Sequence, residues 1–548
     1  MDSIESWIEP PPPPLSIREQ DERLRAGIES AAPPPEPPRV EIVPGDLPIT
    51  ISDAEDALLA SGIELFQSGG RLVRPGVCPV AVTGGEVTGL RLVEVGVPNL
   101  VELMTKAATW EKIDGRSGEW VRTNCPRAVA EGYAARVGQW KLRVLTGLIE
   151  APTLRPDGSL LDKAGYDPAT GLLLRPSCKV PRIKARPTRD DALTALALLT
   201  DLVADFPFLE RGTPDHWPDR SVAVSAILTA LVRRSLPTAP LHGFSAPVAG
   251  SGKSMLVDIV SLIATGRRAA VISQGKTEEE FEKRLAGMIL AGDALVSVDN
   301  CDIPLGGDLL CQALTQPTLK LRPLGGSVMV DAPSNAALFA TGNNLTLRGD
   351  MTRRALVARL DPQCERPELR KGFRHDPLAL ITTSRGKYIA AALTVLRAFH
   401  VAGRPVRLDP LGSFTDWSDF VRSALVWLGE ADPCQTMDDT RAADPMLDAL
   451  SAVLATWRKV IGLNRVTVSE VIRQATAPQS GGLFQSNPDL PEFREALLTV
   501  AGDGGAINGR RLGKWLGRNK DRIVDGMRIV QDSKLDGNVM WRLKTGDP

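Results

Sequence analysis

Aromatic side chains make up only 5% of the 548 residues, while Leu and Ala are abundant, so whatever core the chain buries is mainly aliphatic. Cysteine is sparse and unpatterned. The seven (Cys78, Cys125, Cys178, Cys301, Cys311, Cys364 and Cys434) include no C-x-x-C pair, and their number is odd. That excludes a zinc cluster or a disulfide framework as the organising device and fits a reducing cytosol. No apolar run approaches the ~18 residues of a membrane span, so no membrane association is expected. The opening "MDSIESWIEPPPPP" has neither a basic n-region nor an apolar h-region, and no signal peptide is expected there. An excess of one charge is missing too, the formal net charge being −1. A chain so balanced is not drawn globally to polyanions, and any nucleic-acid surface has to be local.

What is present is an ordinary globular composition, 43% hydrophobic and 24% charged, at a length that calls for several domains. Residues 1–48 hold two proline clusters, at 10–14 and 33–38, around "LSIREQDERLRAGIES". Polyproline favours extended, solvated backbone, which predicts a flexible arm with one short helix, a linker or a segment that recruits a partner. Residues 49–187 predict an α+β domain. There "GGRLVRPGVCPVAV" reads as strand and turn, "VPNLVELMTKAATW" has helical spacing, and Asp157-Gly158 and Asp167-Pro168 punctuate short strands. Residues 188–240 read as helices. Residues 241–365 alternate apolar strands with helices, the pattern of an α/β fold with a parallel sheet. Residues 366–463 are helical again, and 464–548 have their own pattern. No internal repeat occurs.

The α/β stretch opens on "SAPVAGSGKSML", which approaches the phosphate-loop pattern G-x-x-x-x-G-K-[ST] except that Pro247 stands where the first glycine is usual. That glycine shapes the entry turn and holds no phosphate, and proline also fixes a turn. The gripping half is intact. Gly250, Ser251 and Gly252 let backbone N–H groups approach phosphate oxygens, and the helix predicted over "SMLVDIVSLIATG" adds its positive end. Lys253 would reach the β- and γ-phosphates of ATP, and Ser254 would ligate Mg²⁺. Downstream, "DALVSVDNCD" is an apolar strand ending in Asp299, a carboxylate on the Mg²⁺ side. "NAALFATGNN" is another, ending in Asn343 and Asn344, amides suited to sensing the γ-phosphate or orienting water. In "LRGDMTRRALVARLDP", Arg353 and Arg354 are candidates to stabilise transition-state charge, often in trans.

In this order and spacing, "APVAGSGKS", "SVDNCD", "FATGNN" and "RGDMTRRALVARLDP" resemble the superfamily 3 helicase ATPases of viral and prophage primase–helicases, within the AAA+ class. The resemblance covers roughly residues 190–365. It implies a P-loop AAA+ core in a hexameric ring that uses ATP to translocate on DNA in the bacterial cytosol or nucleoid, with a collar-like, non-catalytic domain before it. Carried over by position, Gly250 to Ser254 bind phosphate, Asp299 supports Mg²⁺, Asn343 or Asn344 is the sensor, and Arg354 or Arg353 is the finger from a neighbouring subunit. Phage-type members often carry an alanine-proline pair before the loop, which Pro247 fits. One position departs from the family: Asn300 stands where many relatives have the carboxylate that polarises water. Asp302 is the expected substitute, or Glu280 or Glu282 from "KTEEEFEKRL"; slow hydrolysis is the other expected outcome. Between the two strands, "TLKLRPLGGSVMVDAP" predicts a hairpin turning at Gly325-Gly326. The family projects such a hairpin into the ring channel, making Lys320 and Arg322 phosphate-contact candidates.

The tail from Gly505 to Thr545 carries ten Lys/Arg and four Asp, a net +6 in a chain of net −1. Asn508 is placed to cap a helix in which Arg510, Lys514 and Arg518 share one face, beside Arg511 and Lys520, while Leu512, Trp515 and Leu516 pack. The next stretch, "GMRIVQDSKLDGNVMWRLK", alternates as a hairpin with Ile529, Val539, Trp541 and Leu543 inward and Asp536-Gly537 in the turn. Helix plus basic hairpin predicts a winged-helix, DNA-binding domain. Three functions follow. The first is a DNA helicase or translocase replicating a phage or integrated element, acting on single-stranded, forked or origin DNA, its proline arm engaging a replication partner. The second is an ATP-gated DNA-binding or defence ATPase that does not unwind. The third is a primase–helicase. A primase–polymerase module needs metal-binding acids with a histidine, and no histidine precedes His216.

Overall fold

The computed structural model describes residues 36–82, 85–211, 216–323, 328–477, 490–535 and 538–545. The expected helix within 1–48, the proline cluster at 10–14 and the turns at Gly325-Gly326 and Asp536-Gly537 lie outside these residues. Residues inside the stretch expected as a flexible arm take regular structure. Arg39–Ile42 forms a strand parallel to Thr109–Ile113, with Val40 opposite Trp110, and Val40 is only 1% exposed. Residues 39–48, expected as part of the flexible arm, instead form this strand and the start of a helix, because composition of a short window cannot display a pairing partner so far along the chain. Helices Leu47–Ala60, Val97–Ala107 and Arg127–Ala135 pack on this sheet around Leu58, Leu100, Trp110 and Tyr133. A long hairpin, Arg71–Val82 with Gly85–Glu94, and a small sheet through Gly147–Ile149 and Leu172–Leu174 meet around Phe66, Val73, Leu148 and Leu173.

Two helices lead into the central layer: α1 (Arg189–Leu202) and α2 (Pro218–Val232). Helix α1 starts with a reciprocal capping box, Thr188 accepting the Asp191 amide and Asp191 accepting that of Thr188. Helix α2 is apolar or small nearly all round and is buried nearly all round, as such a helix must be.

The chain then alternates strand and helix: β1 (Leu241–Ala246), α3 (Lys253–Thr265), β2 (Ala270–Ser273), α4 (Glu278–Ala291), β3 (Leu295–Asp299), α5 (Asp308–Thr315), β4 (Thr318–Leu321), β5 (Val330–Pro333), β6 (Ala337–Asn343) and β7 (Ala355–Arg359). Strands β4 and β5 form a separate antiparallel hairpin. The other five make one all-parallel sheet of order β2-β3-β6-β1-β7. Their near-continuous apolar runs suit strands covered on both faces. The protein is thus a mixed α/β fold around a five-stranded parallel sheet. The order matters for chemistry, because β6 lies between β1 and β3. The C-terminal ends of all three therefore converge, and in open α/β sheets that edge is where ligands bind.

Helix α6 (Pro377–Val401), capped by Asp376, packs against α1 and α3 and closes the core. Beyond it come α7 (Pro445–Val460), α8 (Val468–Ala475), α9 (Leu490–Ala501), α10 (Gly509–Asn519) and a hairpin of β8 (Met527–Leu535) with β9 (Asn538–Thr545). These share a core of Leu454, Trp457, Phe493, Leu516, Ile529 and Trp541. Helix α7 belongs to that core, so the C-terminal unit reaches back before residue 464. Val466 bridges Trp541 through two backbone hydrogen bonds of 2.9 and 2.8 Å, tying the segment after α7 to the hairpin. No helix among the described residues is long and apolar enough to cross a membrane.

Candidate nucleotide-binding site

The loop after β1 ends in Gly252, whose φ of +94° belongs to the left-handed region that glycine enters at little cost. It delivers the chain into α3 with Lys253 as the first helical residue. The Lys253 ammonium donates to the Val248 carbonyl at 3.0 Å and to Asn343 Oδ1 at 2.8 Å. Burial draws this ammonium below its ordinary pKa, and the Asp299 carboxylate opposes the shift. Ser254 Oγ donates to Asp299 Oδ1 at 3.2 Å. Lys253, Ser254, Asp299 and Asn343 thus come from three neighbouring parallel strand ends and meet in one place.

Sequence reasoning missed the residue that ties them together. Thr341, on β6 and 1% exposed, donates its hydroxyl to Asp299 Oδ1 and accepts the Asn300 amide at 3.2 Å. One buried hydroxyl therefore orients both residues at the β3 terminus. The next residue, Gly342, permits a close approach, since a Cβ there would lie 2.5 Å from the Cys301 carbonyl oxygen. Asn344 takes φ +50° and donates its amide to the Ala246 carbonyl at 2.9 Å. "TGNN" is a clamp across β1, β3 and β6, and its detectable signal was a threonine inside an otherwise apolar run.

The residues fit a magnesium triphosphate. Gly250 and Gly252 both have positive φ, a backbone that glycine adopts at little cost and that curls the loop ahead of α3. A hydroxyl and a carboxylate at 3.2 Å are hard oxygen donors of the number Mg²⁺ takes from protein when phosphates and water supply the rest. Among the described residues no cluster of three or more His, Cys, Asp or Glu side chains offers a dedicated metal cage.

The other candidates distribute as follows. Pro247 lines a separate cleft with Ser245, Asn344 and Arg359 at the strand ends. Ser251 is buried, its hydroxyl donating to the Val248 carbonyl at 2.8 Å. Asn300 sits at φ +53°, and Asp302 is exposed nearby. Glu280 holds Arg284, and Glu282 accepts the Leu309 amide at 3.1 Å, so both are engaged away from Asp299. Arg353 is about half exposed and pairs with Asp350 at 2.5 Å. Arg354 turns inward, 13% exposed, with Nη2 on Asp350 at 2.7 Å and Nη1 on the Cys311 carbonyl at 3.0 Å. Of the two, Arg353 is the one open to a neighbouring molecule.

A cavity of about 700 Å³ opens from Gly250–Gly252 along α1, lined by Phe206, Met255, Arg370, Phe373 and Leu378 among others. The Phe206 ring packs on the loop, since a Cβ on Gly252 would lie 2.8 Å from it. Glu368, in the strap from Pro367 to Leu378, packs against Gly250, with its Oε2 3.2 Å from where a Cβ on Gly250 would sit. Sequence reasoning passed over this strap, which carries no recognisable pattern and gains meaning only by folding over a loop far from it in sequence.

Lys320 lies on the β4–β5 hairpin, 75% exposed beside Asp331 at 3.3 Å, and Arg322 is exposed at its tip end. In the C-terminal unit Asn508 Oδ1 accepts the Arg510 and Arg511 amides at 3.0 and 3.1 Å, capping α10. Leu512 and Leu516 face the core, while Arg510, Lys514 and Arg518 are exposed together. Lys520 is exposed just past the helix, whereas Arg511 is tied to the Gly502 carbonyl at 2.6 Å and to Asp503 at 3.4 Å. Ile529, Trp541 and Leu543 are buried and Val539 half-buried.

No family model and no curated protein matches this chain. Among solved structures it is similar to the apo A form of the NrS-1 C-terminal region, at 12% identity over 90% of this chain and 99% of that one, with a TM-score of 0.37. Two structures of the JCV helicase, one with a small molecule and one with an inhibitor bound, align over 44% of this chain and 74% of theirs. Their identities are 13% and 15%, each with a TM-score of 0.19. At such scores the functional reading rests on the site's own geometry.

Proposed function

We propose that this chain is an ATP-dependent DNA helicase or translocase that serves the replication of a phage or integrated element, working as a ring, most simply a hexamer, in the bacterial cytosol. The observation that carries the reading is the meeting of Lys253, Ser254, Asp299, Thr341 and Asn343 at one end of a parallel sheet, with β6 between the loop strand and the acid strand. Lys253 would contact the β- and γ-phosphates, and Ser254 and Asp299 would hold Mg²⁺, which when bound offsets phosphate charge. Asn343, whose Oδ1 already holds Lys253, would turn its amide donors to the γ-phosphate or the attacking water. Arg353 would complete the charge on the site of an adjacent subunit. The exposed row Arg510, Lys514, Arg518 is the DNA-facing side of α10, and Lys320 and Arg322 would line the channel.

Lys253→Ala is expected to abolish ATPase, and Asp302→Asn to slow it if Asp302 polarises the water; full turnover by Asp302→Asn removes that assignment. Strand displacement on a forked duplex, with negative-stain imaging in ATP and DNA, tests the rest. A six-fold ring that unwinds supports the proposal, and a monomer overturns the arginine in trans. A second reading draws on Asn300, an amide in place of a base. ATP hydrolysis without strand displacement would favour an ATP-gated DNA-binding protein.

A further inference from the structure

Ahead of α1, the stretch "KVPRIKARPTR" from Lys179 to Arg189 carries five Lys or Arg and no acid, in a chain of formal net charge −1. Residues 179–188 belong to no helix or strand, yet their course is fixed by α6. Gly386 lets the backbone come close, since a Cβ there would lie 2.0 Å from the Lys179 carbonyl oxygen. Further along the same helix, Arg397 donates Nε and Nη2 to the Ala185 carbonyl at 3.0 and 2.7 Å, and Nη1 to that of Gly158 at 2.8 Å. Between these two anchors Ile183 turns inward, as does Pro187 beyond them, while Arg182, Lys184 and Arg186 are exposed. That alternation belongs to an extended chain, in which side chains on one side stand about 6.6 Å apart. Such a spacing is close to that of successive phosphates along a nucleic-acid strand.

Arg182 and Lys184 also meet Lys387 of α6 around a cavity of about 140 Å³, walled by Pro181, Leu198 and Ala391. Two acids stand beside the row. Asp191 pairs with Lys184 at 3.0 Å and accepts the Thr188 amide, and Asp190 is exposed at the start of α1. Protein partners bury aromatic or aliphatic groups at the centre of an interface. Among the described residues no large exposed apolar side chain lies between Val144 and Met255, so what this surface offers is charge. Cations on an immobilised backbone suit a regular polyanion, because little ordering is left for binding to impose. The row is also distinct from the nucleotide site. Asp191 and Thr194 at the first turns of α1 line its cavity, whereas Asp201 and Leu202 at the last turn line the cavity beside the phosphate loop. Those ends are about 15 Å apart.

We propose that Arg182, Lys184 and Arg186, with Lys387, form a further DNA contact, a rail that holds the phosphate backbone of one strand without reading its bases. It rests on the DNA-binding reading above and adds to it a surface separate in sequence from the α10 row and the β4–β5 hairpin.

The test is fluorescence anisotropy of the full-length protein with a labelled oligo-dT strand across a salt series. Arg182→Gln/Arg186→Gln removes two charges from exposed positions, keeps the side-chain stems and should leave the melting temperature unchanged. It is expected to reduce the slope of log affinity against log salt by about 1.4, at about 0.7 per single-strand phosphate contact. Arg182→Lys/Arg186→Lys keeps the charge and should keep the slope. Arg116→Gln/Arg122→Gln removes the same charge from exposed positions of the N-terminal domain and should also leave the slope unaltered. A wild-type slope in Arg182→Gln/Arg186→Gln overturns the rail. An equal loss in Arg116→Gln/Arg122→Gln overturns it too, since the effect would then be one of net charge. If the wild-type protein binds neither this strand nor a duplex, the DNA reading itself fails and the rail with it.

Discussion

Replacing Thr341 by valine isolates the clamp that orients the acid strand. Valine keeps the volume of this 1%-exposed side chain and removes its hydroxyl. Two hydrogen bonds are lost: the charge-assisted one to Asp299 and the one accepted from the Asn300 amide at 3.2 Å. The first contributes about 1.5–3 kcal/mol, and the stranded amide costs about 1 kcal/mol because Asn300 lies at the surface. The extra buried methyl returns about 1 kcal/mol. Thr341→Val should therefore lose about 2 kcal/mol of stability in guanidinium unfolding followed by tryptophan fluorescence. Asp299 then keeps only the Ser254 bond, and a metal-supporting carboxylate without its orienting partner weakens metal affinity about ten- to hundred-fold. The assay is ATPase rate against Mg²⁺ at saturating ATP, in which the half-saturation point should rise by that factor. Thr341→Ser restores the hydroxyl and should restore the Mg²⁺ dependence. If Thr341→Val titrates with the wild-type midpoint, the hydroxyl does not position Asp299 for metal and the reasoning fails.

Arg510→Ala, Lys514→Ala and Arg518→Ala combined should leave the melting temperature unchanged and reduce the slope of log affinity against log salt by about 2.7 in fluorescence anisotropy with duplex DNA. An unaltered slope would move the DNA interface elsewhere. Arg353→Ala should fold like the wild type and lose about 10³ in turnover, whereas Arg354→Ala, which empties an inward position, should cost about 2–3 kcal/mol in thermal unfolding; the opposite pattern would return the finger to Arg354. His242 is buried on β1 against Phe339, its Nε2 3.0 Å from Ser225 Oγ, and burial pushes its pKa down to about 3. The unfolded chain takes up a proton near the ordinary value of 6.5 while the folded chain does not, so this contribution is complete above that pH and is lost as pH falls from 6.5 toward 3. From pH 7 to pH 5 it amounts to about 2 kcal/mol, and His242→Asn should flatten the stability profile by that much in chemical denaturation across pH. Equal slopes for the two proteins would refute the buried neutral imidazole.

Much of the architecture is written locally. The apolar runs ending in Ala246, Asp299 and Asn343 are strands because β-branched and small apolar residues fill a two-sided sheet, and Gly252 stands where the backbone must turn left-handed into α3. Asn508 before a basic amphipathic stretch announced α10, whose cap is determined by the residues beside it. Lys253, Ser254 and Asp299 were legible for the same reason, since loop, helix start and strand end impose their spacing on the chain. What only tertiary structure decided depends on which strands become neighbours. Placing β6 between β1 and β3 puts Thr341 under Asp299 and Asn343 beside Lys253, and no spacing along the chain encodes that adjacency. Arg353 and Arg354 are adjacent in sequence yet opposite in exposure, because one points into the fold and one out of it. The strand at Arg39–Ile42 and the strap from Pro367 to Leu378 owe their structure to partners far away in the chain, a nonlocal pairing that composition cannot carry and packing alone supplies.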